Sequence, residues 1–148
     1  MAYVMYKVMS DIRYLSLFSG IGGLEHKCIP PVLYCELDPS CQTVLHNRHP
    51  NTEIVGDIKT LTSPPEAEYV VGGWPCQDLS SAGVLGGIKG DRSGLFFDMV
   101  RVAKDSGAHT IVGENVPNLL SINSGKDFQV VIDTWLYIFF KWHRIICW

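Results

Sequence analysis

The chain has no surplus of positive charge. Twelve lysines and arginines stand against fifteen aspartates and glutamates, a net charge of -3 with histidine neutral. It therefore carries no electrostatic footprint for a phosphate backbone and, on charge alone, is not a self-sufficient nucleic-acid binder. It also lacks a cysteine framework. Cys28, Cys35, Cys41, Cys76 and Cys147 include no C-x-x-C pair and are odd in number, which argues against a disulfide scaffold and against a metal site. No apolar run is long enough for a bilayer, because Lys141, His143 and Arg144 interrupt WLYIFFKWHRIICW. The start, MAYVMYKVMSDIRY, has neither the basic opening nor the cleavage site of a secretory leader. Internal repeats and low-complexity tracts are absent as well. A chain of the reducing cytoplasm, without membrane or metal partner, is the expectation.

What is present is enough for one core. At 148 residues, 47% hydrophobic and 18% charged, the composition is that of a single folded domain. Short apolar β-type runs alternate with segments of helical period, the pattern of a parallel sheet covered by helices. Strands are expected near Tyr14–Phe18, Val32–Glu36, Glu53–Val55, Tyr69–Gly72 and Thr110–Gly113. Helices are expected over Pro39–Arg48, Ser93–Asp105 and Lys126–Phe140, the second with Leu95, Phe96, Met99, Val100 and Ala103 along one face. Loops fall at Thr62–Pro65, Gly83–Gly90 and Ser121–Gly125, and Arg144–Trp148 reads as a strand just beginning.

Three strand ends carry residues suited to a ligand. In LFSGIGGLE, Leu17 to Glu25, a strand runs into Gly20-Ile21-Gly22-Gly23 and then a helix start, so backbone can approach a ligand closely. Glu36 closes the second strand, where an acid can accept hydrogen bonds from both ribose hydroxyls. Asp57, after the third strand, can accept one from an adenine amino group. Read alone, these glycines equally fit a bare turn, and the two acids equally fit the surface. Their order, each at a strand end, favours an adenosine-type cofactor. A dinucleotide fingerprint would place a third glycine at position 25, where Glu25 would repel a pyrophosphate. S-adenosylmethionine, which has no phosphate, fits better.

A second pair of strand ends carries reactive groups. VVGGWPCQDLSSAG, Val70 to Gly83, puts Cys76 just past a strand, in a loop opened by Gly72-Gly73 and shaped by Pro75. For the other four cysteines a buried structural role is the expectation. GENVPN places Glu114 at the neighbouring strand end, so a thiolate and a carboxyl can act on a planar ring from different sides. Without the other motifs, Glu114 would read as a loop or capping acid.

LFSGIGGLE, the Glu36 strand end, GDI, GGWPCQDLSSAG, GDRSGLFFDMVRVAK and GENVPNLLS together resemble, in order and spacing, the cytosine-C5 DNA methyltransferase family, from about Tyr14 onward. The resemblance implies a Rossmann-like S-adenosylmethionine-dependent α/β fold with an incomplete parallel sheet and flanking helices. It assigns Phe18, Gly20, Ile21, Gly22, Gly23 and Leu24 to the methyl-donor loop and Glu36 to the ribose. Asp57 and Ile58 take the adenine, and Leu95 borders that pocket. Cys76 becomes the nucleophile, Glu114 the acid that engages the base, and Asn115 a brace between loops, with Pro75, Gln77 and Ser81 shaping the nucleophile loop. Double-stranded DNA with a flipped cytosine is the implied partner.

The chain departs from the family pattern in places. Leu79 stands where an aromatic residue is common, and Trp74 precedes Pro75; both keep apolar bulk. Residues 1–148 are expected to form one partial catalytic domain. The later arginine-bearing motif, the target-recognition region and the segment that completes the donor pocket are missing, so efficient methylation is not expected from this chain alone. A helix over 126–140 lacking those strands would then expose Val131, Trp135 or Phe139. The favoured reading is the catalytic half of a cytosine methyltransferase, as a fragment or as one subunit of a split enzyme completed by a C-terminal polypeptide. The alternatives are a non-catalytic remnant that binds the donor, and a nucleotide-dependent oxidoreductase.

Overall fold

The computed structural model describes residues 12–25, 29–75, 94–142 and 146–147. Six strands form one all-parallel sheet: β1 (Tyr14–Leu17), β2 (Leu33–Cys35), β3 (Glu53–Val55), β4 (Tyr69–Gly72), β5 (Thr110–Gly113) and β6 (Ile146–Cys147). Their order across the sheet is β3-β2-β1-β4-β5-β6. The chain steps outward from β1 to β3, then returns to add β4 on the other side of β1, leaving a crevice where the order reverses. β1 is buried at all four positions and β2 at all three, as expected of parallel strands covered on both faces.

Alternation along the strands divides the side chains between two faces. Leu15, Leu17, Leu33, Cys35, Val70 and Ile111 belong to one apolar cluster with Phe96, Met99, Val102 and Ala103 of helix α2 (Leu95–Asp105) and with Val131 and Trp135 of helix α3 (Lys126–Trp142). Tyr14, Ser16 and Tyr34 lie on the other face. There the Tyr34 hydroxyl meets His49 Nδ1 at 2.7 Å, just past helix α1 (Pro39–Arg48).

Helix α1 is polar nearly all round and buries only Leu45, so packing alone does not fix it. Its start is set by Asp38, whose Oδ1 accepts from Ser40 N–H at 2.7 Å and Cys41 N–H at 3.2 Å, with Pro39 in the first turn. Gln42 Nε2 donates to Glu36 O at 2.6 Å, and Arg48 Nη1 to Gly22 O at 2.7 Å, which ties this helix to the loops at the crevice.

Several expectations need adjustment. Phe18 leaves β1, because its φ of +54° breaks the strand. On α2 the buried set is Phe96, Met99, Val102 and Ala103; Leu95 and Val100 are only half-buried. Val131 and Trp135 are not exposed on α3 but buried at 0% and 4%, and among the described side chains of this helix the exposed large apolar ones are Leu136 and Tyr137. The side chain of Phe139 lies outside the described residues. The segment Leu24–Glu25 forms bends, not a helix. Ile122–Gly125 is a 3₁₀ turn with Asn123 and Ser124 at positive φ. The expected last strand is found as β6, paired at Val112↔Ile146 and Gly113↔Cys147. The Gly83–Gly90 loop lies outside the described residues. No helix among them is long and apolar enough to cross a membrane.

Candidate active site

Register brings the strand ends to one level. Leu17 pairs with both Cys35 and Gly72, Cys35 with Val55, and Gly72 with Gly113. Phe18, Glu36, Gly56, Gly73 and Glu114 therefore leave the sheet along a single edge, on either side of the crevice between β1 and β4.

On the β1 side the chain turns sharply through Phe18 and Gly20, at φ +54° and +55°. A non-glycine residue held in that region costs about 1–3 kcal/mol and is often found where a ligand is bound. Gly20 N–H donates to Glu36 Oε2 at 2.6 Å, and Asp38 N–H to Glu36 Oε1 at 2.8 Å. One carboxylate thus joins the glycine loop to the start of α1. Each of its oxygens keeps a further lone pair for a hydroxyl ligand. Gly22 sits at φ +81°, which disfavours any side chain, and a Cβ there would lie 2.7 Å from Arg48 Nη1, which would have to move. Gly20 and Gly23 face open space, and Ile21 and Leu24 are exposed. Among the described residues nothing covers the backbone at Gly20 and Gly23.

Beneath the loop, Ser16 Oγ donates to Glu25 Oε1, and Ser16 and Ser19 hydroxyls pair at 2.7 Å. Glu25 thus turns its carboxylate toward the sheet, and its Oε2 is buried without a partner among the described residues. That charge is felt nearby. Burial first, then the neighbouring Tyr34 and Glu25, raises the Tyr14 hydroxyl pKa; burial and Glu25 push Tyr34 up to about 12 against the pull of Arg48.

On the β3 side, Asp57 opens the 3₁₀ turn Ile58–Thr60 and accepts Lys59 N–H on Oδ1 at 2.9 Å. Ile58 is buried, and Leu95 sits half-buried at the start of α2. Cys35 lies on the inner face of β2. Burial, followed by the charges of Asp57 and Glu36, pushes its thiol up to about 12, as suits a structural cysteine.

Across the crevice, β4 runs into Gly73, Trp74 and Pro75. Glu114 N–H donates to Gly72 O at 3.1 Å, which extends the β4–β5 ladder by one residue. A Cβ on Gly73 would lie 2.7 Å from Glu114 Oε2, so the carboxylate rests on the bare backbone of the β4 loop. Asn115 Nδ2 donates to Trp74 O at 3.1 Å and its Oδ1 accepts Val116 N–H at 2.9 Å. The β5 loop is thereby fastened to the chain immediately before Pro75. Trp74 packs against Phe96 and Trp135 at 5.1 and 6.4 Å between ring centres. Cys76, Gln77 and Ser81 lie outside the described residues.

Of the expected site residues, Phe18, Gly20, Ile21, Gly22, Gly23, Leu24, Glu36, Asp57, Ile58, Leu95, Pro75, Glu114 and Asn115 are all found on the edge loops or at the start of α2. Others were not singled out from sequence. Gln42 and Arg48 read as polar residues of a surface helix. Arg101, flanked by Asp98 and Asp105 at helical spacing, reads as an exposed ion-pair ladder, and nothing local marks the backbone carbonyls these side chains bind. Among the described residues no group of His, Cys, Asp and Glu gathers as a metal site.

Similarity to known proteins bears on what this edge does. Two solved structures share the fold: a prophage-encoded Escherichia coli protein described as a DNA modification methyltransferase, with TM-score 0.65, 19% identity and 84% of this chain against 37% of that one, and a dehydrogenase from Chromobacterium violaceum, with TM-score 0.52, 17% identity and 85% against 33%. The fold alone therefore does not name a family. Sequence identity is more specific. The chain is 35% identical over 139 residues to the type II methyltransferase M2.BsuMI of Bacillus subtilis, covering 88% of this chain and 36% of that one. It is 36% identical over 122 residues to M.NgoPII of Neisseria gonorrhoeae, covering 76% and 35%. With M.AquIA of Picosynechococcus it shares 31% over 135 residues, 81% of this chain and 54% of that one. It spans about a third of the length of most of the curated relatives it matches. The profile of the C-5 cytosine-specific DNA methylases matches residues 12–144, and the chain belongs to that family.

Proposed function

We propose that this chain is the donor-binding, nucleophile-bearing part of a DNA (cytosine-5)-methyltransferase. One observation carries the reading: the Glu114 carboxylate lies on Gly73 while Asn115 holds Trp74 O, so that an acid stands beside the strand end that leads into Pro75-Cys76. The Glu36 and Asp57 loops stand along the same edge, as required of groups that act on one ligand pair.

The chemistry follows from the ring. Cytosine C5 is a poor nucleophile while the ring is aromatic. The Cys76 thiolate adds to C6, forming an S–C bond and breaking that aromaticity. Glu114, giving a proton to N3 while its other oxygen accepts from the exocyclic amine, neutralises the electron density that arrives there. S-adenosylmethionine, when bound, would supply an electrophilic methyl to the enamine carbon C5, the S–CH3 bond breaking so that the donor leaves as the neutral thioether S-adenosylhomocysteine. A base then removes the C5 proton, and the electron pair expels the thiolate to leave 5-methylcytosine. The target base must leave the duplex stack for sulfur to reach it.

The residues present fit the donor. Glu36 offers lone pairs to a ribose, Asp57 Oδ2 offers one to an amino group, and the open backbone at Gly20 and Gly23 accommodates an uncharged portion. The adjacent Glu25 charge disfavours a pyrophosphate. The two-thirds of the relatives' length that this chain does not span, whether continuous with it or on a second polypeptide, supplies target recognition, in keeping with the acidic balance of this chain.

The reading is tested by mixing the chain with such a polypeptide, S-adenosylmethionine and DNA that carries 5-fluorocytosine, whose C5 substituent cannot leave as a proton. A detergent-stable protein–DNA adduct is expected, lost in Cys76→Ser. Glu114→Gln should lower turnover on ordinary DNA by about 100-fold or more. Undiminished turnover by Cys76→Ser overturns the mechanism. Absence of any adduct in an otherwise complete mixture favours a non-catalytic donor-binding chain.

A further inference from the structure

Arg101 lies on the flank of α2 shared with Asp98 and Asp105, toward the Ile58–Thr60 turn. Its guanidinium is held from several directions. Nη1 donates to Leu61 O at 2.7 Å, Nη2 to Ile58 O at 2.8 Å, and Nη2 and Nε both reach Asp98 Oδ1, at 3.1 and 3.4 Å. Asp105 Oδ2 stands 3.9 Å from Nη1. Two main-chain carbonyls and a carboxylate fix a planar fork far more closely than a lone helix-surface ion pair would.

Those two carbonyls belong to the turn that Asp57 opens. Lys59 N–H occupies Asp57 Oδ1, while Oδ2 accepts no hydrogen bond among the described residues. Asp57 is itself exposed, and the buried side chains of Ile58 and Leu61 hold the apolar side of the turn. Within the turn the Lys59 N–H bond sets the Asp57 carboxylate; the guanidinium ties the carbonyl side of that turn to α2 and so sets where the carboxylate stands along the edge.

We propose that Arg101 is a positioning residue for donor specificity. By binding the Ile58 and Leu61 carbonyls to α2 it aims Asp57 Oδ2 at the exocyclic amino group of an adenine and so selects against a 6-oxo purine, whose oxygen would face the carboxylate lone pair to lone pair. The proposal rests on the reading of Asp57 as the base acceptor given above.

The test measures binding of S-adenosylhomocysteine and of its 6-oxo counterpart, S-inosylhomocysteine, to the full chain, by calorimetry or ligand-observed NMR. The wild type should prefer the adenine ligand by about tenfold or more, the difference made by one charge-assisted hydrogen bond. Arg101→Gln should bring the preference to within about twofold by weakening only the adenine ligand, since the 6-oxo ligand never used that bond. Arg101→Lys, which reaches one carbonyl, should fall between. Asp98→Asn, which removes the acid that orients the fork, should lower the preference in the same direction and serves if Arg101→Gln does not fold. If Asp57→Asn abolishes the preference while Arg101→Gln and Asp98→Asn keep it, or if those two weaken both ligands equally, the proposal for Arg101 falls and the donor reading stands. If the wild type shows no preference, or Asp57→Asn retains it, the donor reading falls and takes the proposal with it.

Discussion

Two adjacent glycines separate stability from function. A Cβ on Gly72 would stand 2.5 Å from Leu17 O, a main-chain atom of the neighbouring strand that cannot move without opening the ladder. Gly72→Ala should therefore destabilise by about 1–3 kcal/mol, read as a lower denaturant midpoint. A Cβ on Gly73 meets instead the far end of the Glu114 side chain, at 2.7 Å, which can rotate away. Gly73→Ala should change stability by less than about 0.5 kcal/mol yet lower methyl transfer in the complemented enzyme by about 100-fold, because the acid is displaced by roughly an ångström. Equal stability losses in the two variants would contradict this division. At this scale the sequence was informative about residue types, since an acid after one strand and a proline-framed cysteine after another take on a chemical reading once the order of the motifs is read with them. It was uninformative about Arg101, Gln42 and Arg48, whose partners are backbone carbonyls, and a carbonyl is present at every residue.

Helix α1 illustrates what one cap contributes to an element with little else. It buries only Leu45, and its first turn is held by Asp38. The bonds from Cys41 and Ser40 N–H hold the Asp38 carboxyl below its ordinary value of 3.8. Because the folded value is depressed, this contribution is fully present above the ordinary carboxylate pKa and is lost as pH falls through the folded one. The melting-temperature gap between wild type and Asp38→Ala should thus be widest near neutral pH and close in acid; a gap that persisted down to about pH 2 would show that the cap does not act through the carboxylate. The bounds of this helix, Pro39–Arg48, were legible in the sequence. The exposed side of α3 was not, because Lys126–Trp142 carries apolar residues nearly all round and its sequence does not say which stripe meets the sheet.

At the scale of the molecule, that stripe joins α3 to everything else. Trp135 packs on Trp74 and Phe96, and a Cβ at Gly113 would be 3.2 Å from its ring. One continuous cluster thus runs from β1 through α2 to α3. Trp135→Ala should cost about 3–5 kcal/mol and lower the whole unfolding transition, whereas Leu136→Lys, at an exposed position, should shift stability by no more than about 0.5 kcal/mol. A separate early transition of α3 in Trp135→Ala would mean that the helix is an independent unit.

The sequence by itself determined the class of fold, most element bounds and the family, because these depend on local periodicity, turn chemistry and motif order, all of which are written along the chain. Only the tertiary structure decided that Leu17, Cys35, Gly72 and Gly113 end at one level, that Glu114 rests on Gly73, and that Arg101 secures the turn of Asp57. These are relations between segments far apart in sequence. Strand register and the closing of hydrogen bonds across the crevice fix them, and no stretch of residues records those constraints on its own.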